Sequence, residues 1–105
     1  MNQIEIDKIK RFLSEKRKIV IIPHKNPDGD AIGASTGLKY YLDNFNHNVE
    51  IISPNQFPDF LKWMDPNNVI KIFDEDEKCA QKIIDAELIF TLDFNNLVRI
   101  SAMKD

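Results

Sequence analysis

The sequence predicts an α/β fold: a parallel sheet of about four strands, flanked by helices. Three observations lead there. Short runs rich in β-branched and other apolar residues recur at residues 19–22, 49–52, 69–73 and 88–92. The intervals between them carry apolar residues at helical spacing, and each is long enough for a crossover between parallel strands. The clearest runs, Ile19-Val20-Ile21-Ile22 and Leu88-Ile89-Phe90, are continuously apolar rather than alternating, as strands buried on both faces must be. A chain of 105 residues holds one small domain, and it shows no repeat, low-complexity segment or linker.

Taken in order, Ile6, Ile9, Phe12 and Leu13 recur at helical spacing, so residues 2–16 are expected as an amphipathic helix with a solvated charged face. The run at 19–22 is the first strand. Pro23 and Pro27 then exclude helix, and Pro27 drives Asn26 towards extended geometry. His24, Asp28 and Asp30 therefore lie on a loop at the strand's C-terminal end, the end where open α/β sheets bind ligands. A helix over 31–45 follows, with Leu38, Tyr41, Leu42 and Phe45 as its apolar stripe and Asp30 as its cap. Gly29, Gly33 and Gly37, the chain's three glycines, stand four residues apart. Gly29 lets the backbone turn between the two aspartates, while Gly33 and Gly37 fall inside the helix, where each costs about 1 kcal/mol relative to Ala, so the face they share is expected to approach the sheet closely.

Asn44, Asn46 and Asn48 end that helix, with His47 expected exposed in the polar turn. The second strand is 49–52, and Ser53-Pro54-Asn55 breaks the chain. Residues 58–64 read as a short helix, where Phe57, Phe60, Leu61, Trp63 and Met64 form a dense apolar cluster. Such a cluster can serve as a nucleobase platform; packing over the sheet is the favoured reading. The third strand is 69–73. A helix over 75–85 turns Cys79, Ala80, Ile83 and Ile84 inward, and Asp74, Glu75, Asp76 and Glu77 suit its N-terminal dipole. The fourth strand ends at Asp93, and residues 97–104 read as a further helix. The strands are expected in the order 2-1-3-4 or a close variant, with the His24 loop beside Asp93.

Composition narrows the function classes. The chain has 14 Lys and Arg against 17 Asp and Glu, a net charge of −3. An acidic lobe is ill suited to gripping a long duplex through counterion release; a small anionic substrate held by metal fits better. A single cysteine, Cys79, excludes an internal disulfide and suits a reducing compartment; it reads as a buried apolar filler. Charged residues interrupt the N-terminal segment throughout, unlike a signal peptide, and no apolar run approaches the ~20 residues of a membrane span. The cytoplasm is the expected location.

The loop at 24–30 concentrates one imidazole and two carboxylates. Two ionised carboxylates this close repel, and a divalent cation removes the conflict. Mixed nitrogen and oxygen donors suit Mn, Fe, Zn or Co. An Asx-rich turn capping a helix is the alternative reading of the same residues. An EF-hand fails, because the loop's sixth position is Ala31 rather than Gly and its twelfth is Gly37 rather than Glu. A phospho-acceptor receiver domain shares the α/β alternation and the acidic residues, but leaves His24 unexplained.

The run His24-Lys25-Asn26-Pro27-Asp28-Gly29-Asp30-Ala31-Ile32-Gly33-Ala34-Ser35 resembles the first motif of the DHH phosphoesterases, H-x-x-P-D-x-D-A-x-G-[SA], with every fixed position filled. The family includes RecJ-type exonucleases, nano-RNase/pAp phosphatases, cyclic-dinucleotide phosphodiesterases, exopolyphosphatases and family II pyrophosphatases. The resemblance implies that Asp93 is the second-motif aspartate bridging two metal ions. His24 and Asp28 would then hold one ion and Asp30 the other. It implies two Mn2+ ions, replaceable by Mg2+ or Co2+, and hydrolysis by metal-activated water without a covalent nucleophile. That leaves Ser35 and Thr36 as helix residues. The run Leu92-Asp93-Phe94-Asn95 looks most like the nano-RNase/pAp phosphatase branch. The expected substrate is thus a short oligonucleotide or pAp, with pyrophosphatase and RecJ-type exonuclease as alternatives. No membrane partner is expected, and an oligomer is compatible. The family's third motif, Asp-His-His, is absent, since the chain has only His24 and His47. The fourth-motif aspartate and the C-terminal substrate domain are absent too. Residues 1–105 accordingly read as the N-terminal part of a DHH catalytic domain, inactive by itself.

Overall fold

A computed structural model of the chain describes residues 2–23 and 28–92, together with the backbone of the strand Arg99–Ala102. The helices are α1 (Gln3–Phe12), α2 (Gly29–Asp43) and α3 (Lys78–Asp85). The strands are β1 (Lys18–Pro23), β2 (Asn48–Ser53), β3 (Ile70–Ile72), β4 (Leu88–Leu92) and β5 (Arg99–Ala102). They form one sheet in the order β3-β2-β1-β4-β5. β1 to β4 run parallel, and β5 pairs antiparallel with β4.

The continuously apolar runs are buried on both faces of the sheet, as expected. Ile19 and Ile21 join Val49, Ile51, Leu88, Phe90 and Leu92 on one face, where Ile32 and Leu42 of α2 cover them. Val20, Ile52 and Ile89 point the other way, against Cys79 of α3 and Ala86. Phe12 and Leu13, at the end of α1, pack on the α2 side.

The strand order differs from the expected 2-1-3-4 because of where the connections lie. α2 and the 3₁₀ helix Asp59–Met64 pack together, so the steps β1→β2 and β2→β3 cover the same sheet face. Right-handed crossovers on one face step in one direction. That carries β3 beyond β2 to the sheet's edge, where only its first residue is fully buried. α3 lies on the opposite face, and its crossover returns the chain past β2 to the far side of β1. The order reverses between β1 and β4, which makes their C-terminal ends the switch point at which such sheets bind ligands. A receiver-type sheet has the order 2-1-3-4-5, so that alternative fails here.

Several elements depart from their sequence reading. α2 starts at Gly29, with Asp28 rather than Asp30 as its N-cap. Its end carries Asn46 at a φ of 65°, a left-handed conformation asparagine tolerates. β3 is shorter than 69–73, and Phe73–Glu75 forms a 3₁₀ turn. α3 begins at Lys78, because the Asp76 carboxylate accepts from the Lys78 amide at 2.9 Å and closes a local turn first. Ile84 faces solvent. The segment expected as a helix over 97–104 contains β5 instead, which satisfies backbone groups along the outer side of β4.

At the N-terminal ends of the strands His47 is buried, only 6% exposed, against the expectation of an exposed turn residue. Its Nδ1 accepts from the Arg17 amide at 3.1 Å. The Arg17 guanidinium lies 3.9 Å over the Phe12 ring and pairs with Glu87 at 3.1 Å. Glu87 in turn accepts from the Lys18 amide at 3.0 Å. This cluster ties α1 to the start of β1 and β4. Asp65, 7% exposed, does similar work before β3: its two oxygens accept from the Val69 and Ile70 amides at 2.9 and 3.0 Å. Among the described residues no helix is long and apolar enough to cross a membrane.

Candidate metal centre

The sheet's switch point fixes where the candidate residues can meet. Pro23 and Leu92 are register partners, the last residues of β1 and β4. His24 and Asp93 are the next residues in sequence; both lie outside the described residues. Pro23 carries no N–H, so it adds no donor at the point where β1 ends.

Asp28 and Asp30 stand at the start of α2, both exposed. The Asp28 Oδ1 accepts from the Ala31 amide at 2.9 Å, and the Ile32 amide donates to the Asp28 carbonyl at 3.0 Å. One carboxylate is thereby oriented by the helix it caps. The N-terminal end of a 15-residue helix also presents unpaired amides and a partial positive charge, an environment suited to a phosphate. Among the described residues no cluster of three or more His, Cys, Asp or Glu forms a metal site. The donor set expected from the sequence, one imidazole and three carboxylates, would fit manganese or a similar transition ion.

The three glycines support this turn differently from the expectation. A Cβ at Gly29 would meet Leu61 and Met64, each at 3.8 Å, and one at Gly33 would meet the Met64 methyl at 3.5 Å. One at Gly37 would meet nothing within 4 Å. The first two glycines therefore face the 3₁₀ helix Asp59–Met64 rather than the sheet. The apolar cluster of that segment divides accordingly. Phe57 is buried, and Leu61 and Met64 pack on the core. Phe60 and Trp63 remain 73% and 74% exposed. The glycine spacing itself was the signal for this contact; its partner was not readable.

The other polar groups near α2 serve the fold. Ser35 and Thr36 are buried, and their hydroxyls donate to the Ala31 and Ile32 carbonyls at 2.7 and 2.9 Å. Asp43 pairs with Lys39 at 3.0 Å. Cys79 is fully buried. Burial pushes its thiol pKa up, and the negative charge of Asp76 adds to the effect.

The N-terminal domain of the DHH family matches residues 18–105 of the chain. The crystal structure of an exopolyphosphatase-related protein from Bacteroides fragilis superposes with a TM-score of 0.80 and 41% sequence identity. The match covers 91% of this chain and 29% of that one, so the chain spans less than a third of its neighbour's length. No curated protein sequence matches it.

Proposed function

The chain belongs to the DHH family, and from that footing we propose that it forms the metal-binding lobe of a manganese-dependent phosphoesterase acting on short oligonucleotides or pAp. The observation that carries the proposal is the pairing of Pro23 with Leu92 at the switch point of the sheet. In sequence His24 follows Pro23 and Asp93 follows Leu92, while Asp28 caps α2 and Asp30 lies in its first turn. In this reading His24 and Asp28 would hold one ion, Asp30 the other, and Asp93 would be shared between them. When bound, the ions lower the pKa of a coordinated water and neutralise phosphoryl charge.

The chain's own groups position these ligands. The Ala31 amide orients the Asp28 carboxylate. The start of α2 offers amides to a phosphate oxygen. The Ser35 and Thr36 hydroxyls are engaged by helix carbonyls, so the proposal needs no covalent nucleophile from this helix. Turnover further requires the histidines of the family's third motif, which this sequence does not contain, so the 105-residue chain is expected to fold without hydrolysing substrate.

Calorimetric titration with manganese tests the ligand set. Binding should weaken at least tenfold in His24→Ala and in Asp93→Asn, and stay unchanged in Asp43→Asn, whose side chain pairs with Lys39. Equal affinity in all three variants would refute the assignment. A second reading, hydrolysis of inorganic polyphosphate, draws on the name of the B. fragilis neighbour. Turnover assays of a longer protein that carries this lobe together with the third motif, with pAp, a dinucleotide, polyphosphate and pyrophosphate side by side, separate the two.

A further inference from the structure

Two aromatic side chains beside the acidic turn have no role in the fold described above. Phe60 and Trp63 stand three residues apart on the 3₁₀ helix Asp59–Met64, where residues i and i+3 eclipse. They form one stripe, and each is about three-quarters exposed. The neighbouring stripe, Leu61 and Met64, lies against Gly29 and Gly33. The third, Asp59 and Lys62, closes on itself as an ion pair at 3.1 Å. The helix is thus held by one stripe, solvated by another, and presents aromatic rings on the last.

We propose that Phe60 and Trp63 form a stacking wall for the nucleobase of the substrate whose phosphate is bound at the Asp28–Asp30 turn. This rests on the phosphoesterase reading above. The helix carrying the wall packs beside Gly29, the residue between Asp28 and Asp30, so the rings and the carboxylates stand on adjoining elements. The stripe is narrow and made only of aromatic rings, with an ion pair at its border rather than a ring of aliphatic side chains. That composition suits a flat, polar-edged base better than an apolar protein surface. Stacking accepts every base, because each has a π-face, which fits a substrate class defined by phosphate and length rather than sequence. The wall would favour nucleotides over polyphosphate, which has no base.

Calorimetry in manganese with adenosine 5′-phosphate and ribose 5-phosphate tests the proposal. The first should bind roughly tenfold more tightly, within the range found for stacking one base on an aromatic side chain. Phe60→Ala and Trp63→Ala should each bring it down towards the sugar phosphate. Both residues are exposed, so the variants should keep the native far-UV circular dichroism. Trp63 is the chain's single tryptophan, and its emission should be quenched by adenosine 5′-phosphate and not by ribose 5-phosphate. Equal affinity for the two ligands would overturn the wall and leave the phosphoesterase reading standing. A preference for the nucleotide that survives both substitutions would overturn it as well, since the base is then read elsewhere. Trp63 shielded from iodide in the ligand-free protein would do the same, because another protein surface then covers the stripe. Failure of both ligands to bind would overturn the two readings together.

Discussion

Replacing Gly37 by alanine should stabilise the protein, and the size of the gain follows from the structure. Gly37 lies inside α2, with no positive φ and nothing within 4 Å of the position its Cβ would take. The added methyl meets no obstacle, and the backbone already has helical geometry. What remains is the helix-interior penalty of glycine, about 1 kcal/mol relative to alanine, much of it the freedom that glycine gives the unfolded chain. With an unfolding entropy of about 2.1 cal/mol/K per residue, the whole chain has about 220 cal/mol/K, so Tm should rise by about 4–5 °C. Gly33→Ala should gain no more than this, since its Cβ would sit 3.5 Å from the flexible Met64 methyl. Gly33→Leu should instead lower Tm, because a larger side chain must displace Met64, at about 1–3 kcal/mol. Differential scanning calorimetry on the three variants checks the series. A fall in Tm for Gly37→Ala would show that this face of α2 meets something, and would refute the separation drawn between glycines that look alike in sequence.

Two further outcomes are expected. Asp65→Ala should lower stability by about 2 kcal/mol, since it leaves the Val69 and Ile70 amides without their acceptor beside the buried start of β3; urea denaturation measures it, and a change under about 0.5 kcal/mol would contradict the bracing role. Cys79 should resist iodoacetamide in the native state and react on unfolding. Because its folded pKa is raised, the folded state holds the thiol proton more tightly, so its contribution to stability is complete below the ordinary thiol pKa, about 8.5, and declines as pH rises above it; stability curves at pH 8 and pH 10 for wild type and Cys79→Ala should diverge in that direction.

Much of the architecture was legible in the sequence because burial leaves a local trace. The run Ile19 to Ile22 has no polar residue to turn outward, so it had to be a strand covered on both sides. The candidate residues stood out in the sequence because two prolines keep the segment after β1 out of a helix; the structure gives Asp28 the capping role of the alternative reading and sets Asp30 in the first turn of α2. Of these, Asp28 and Asp30 stand together at the start of α2, while His24 and Asp93 lie outside the described residues. What could not be read depends on partners distant in sequence. His47 looks like a solvated turn residue until the Arg17 amide, thirty positions earlier, needs an acceptor. Residues 99–102 fit a helical pattern, yet the outer side of β4 gives their backbone a better partner. The direction in which β3 leaves β2 is set by crossover handedness and by which face α2 already covers, and no residue of β3 encodes it.

The central strand pair has a consequence for how the molecule comes into being. β1 is joined on one side to β2, its near neighbour along the chain, but on the other to β4, whose register begins at Ile19 and Leu88. During synthesis the first side can close early. The second must wait until β4 has left the ribosome, and loop closure over that span slows it further. Until then one side of β1 is an unpaired apolar edge, an invitation to association with other nascent chains. The proposed metal centre straddles that same seam, so a ligand gripping both strands would act as a clasp on the slowest step of folding.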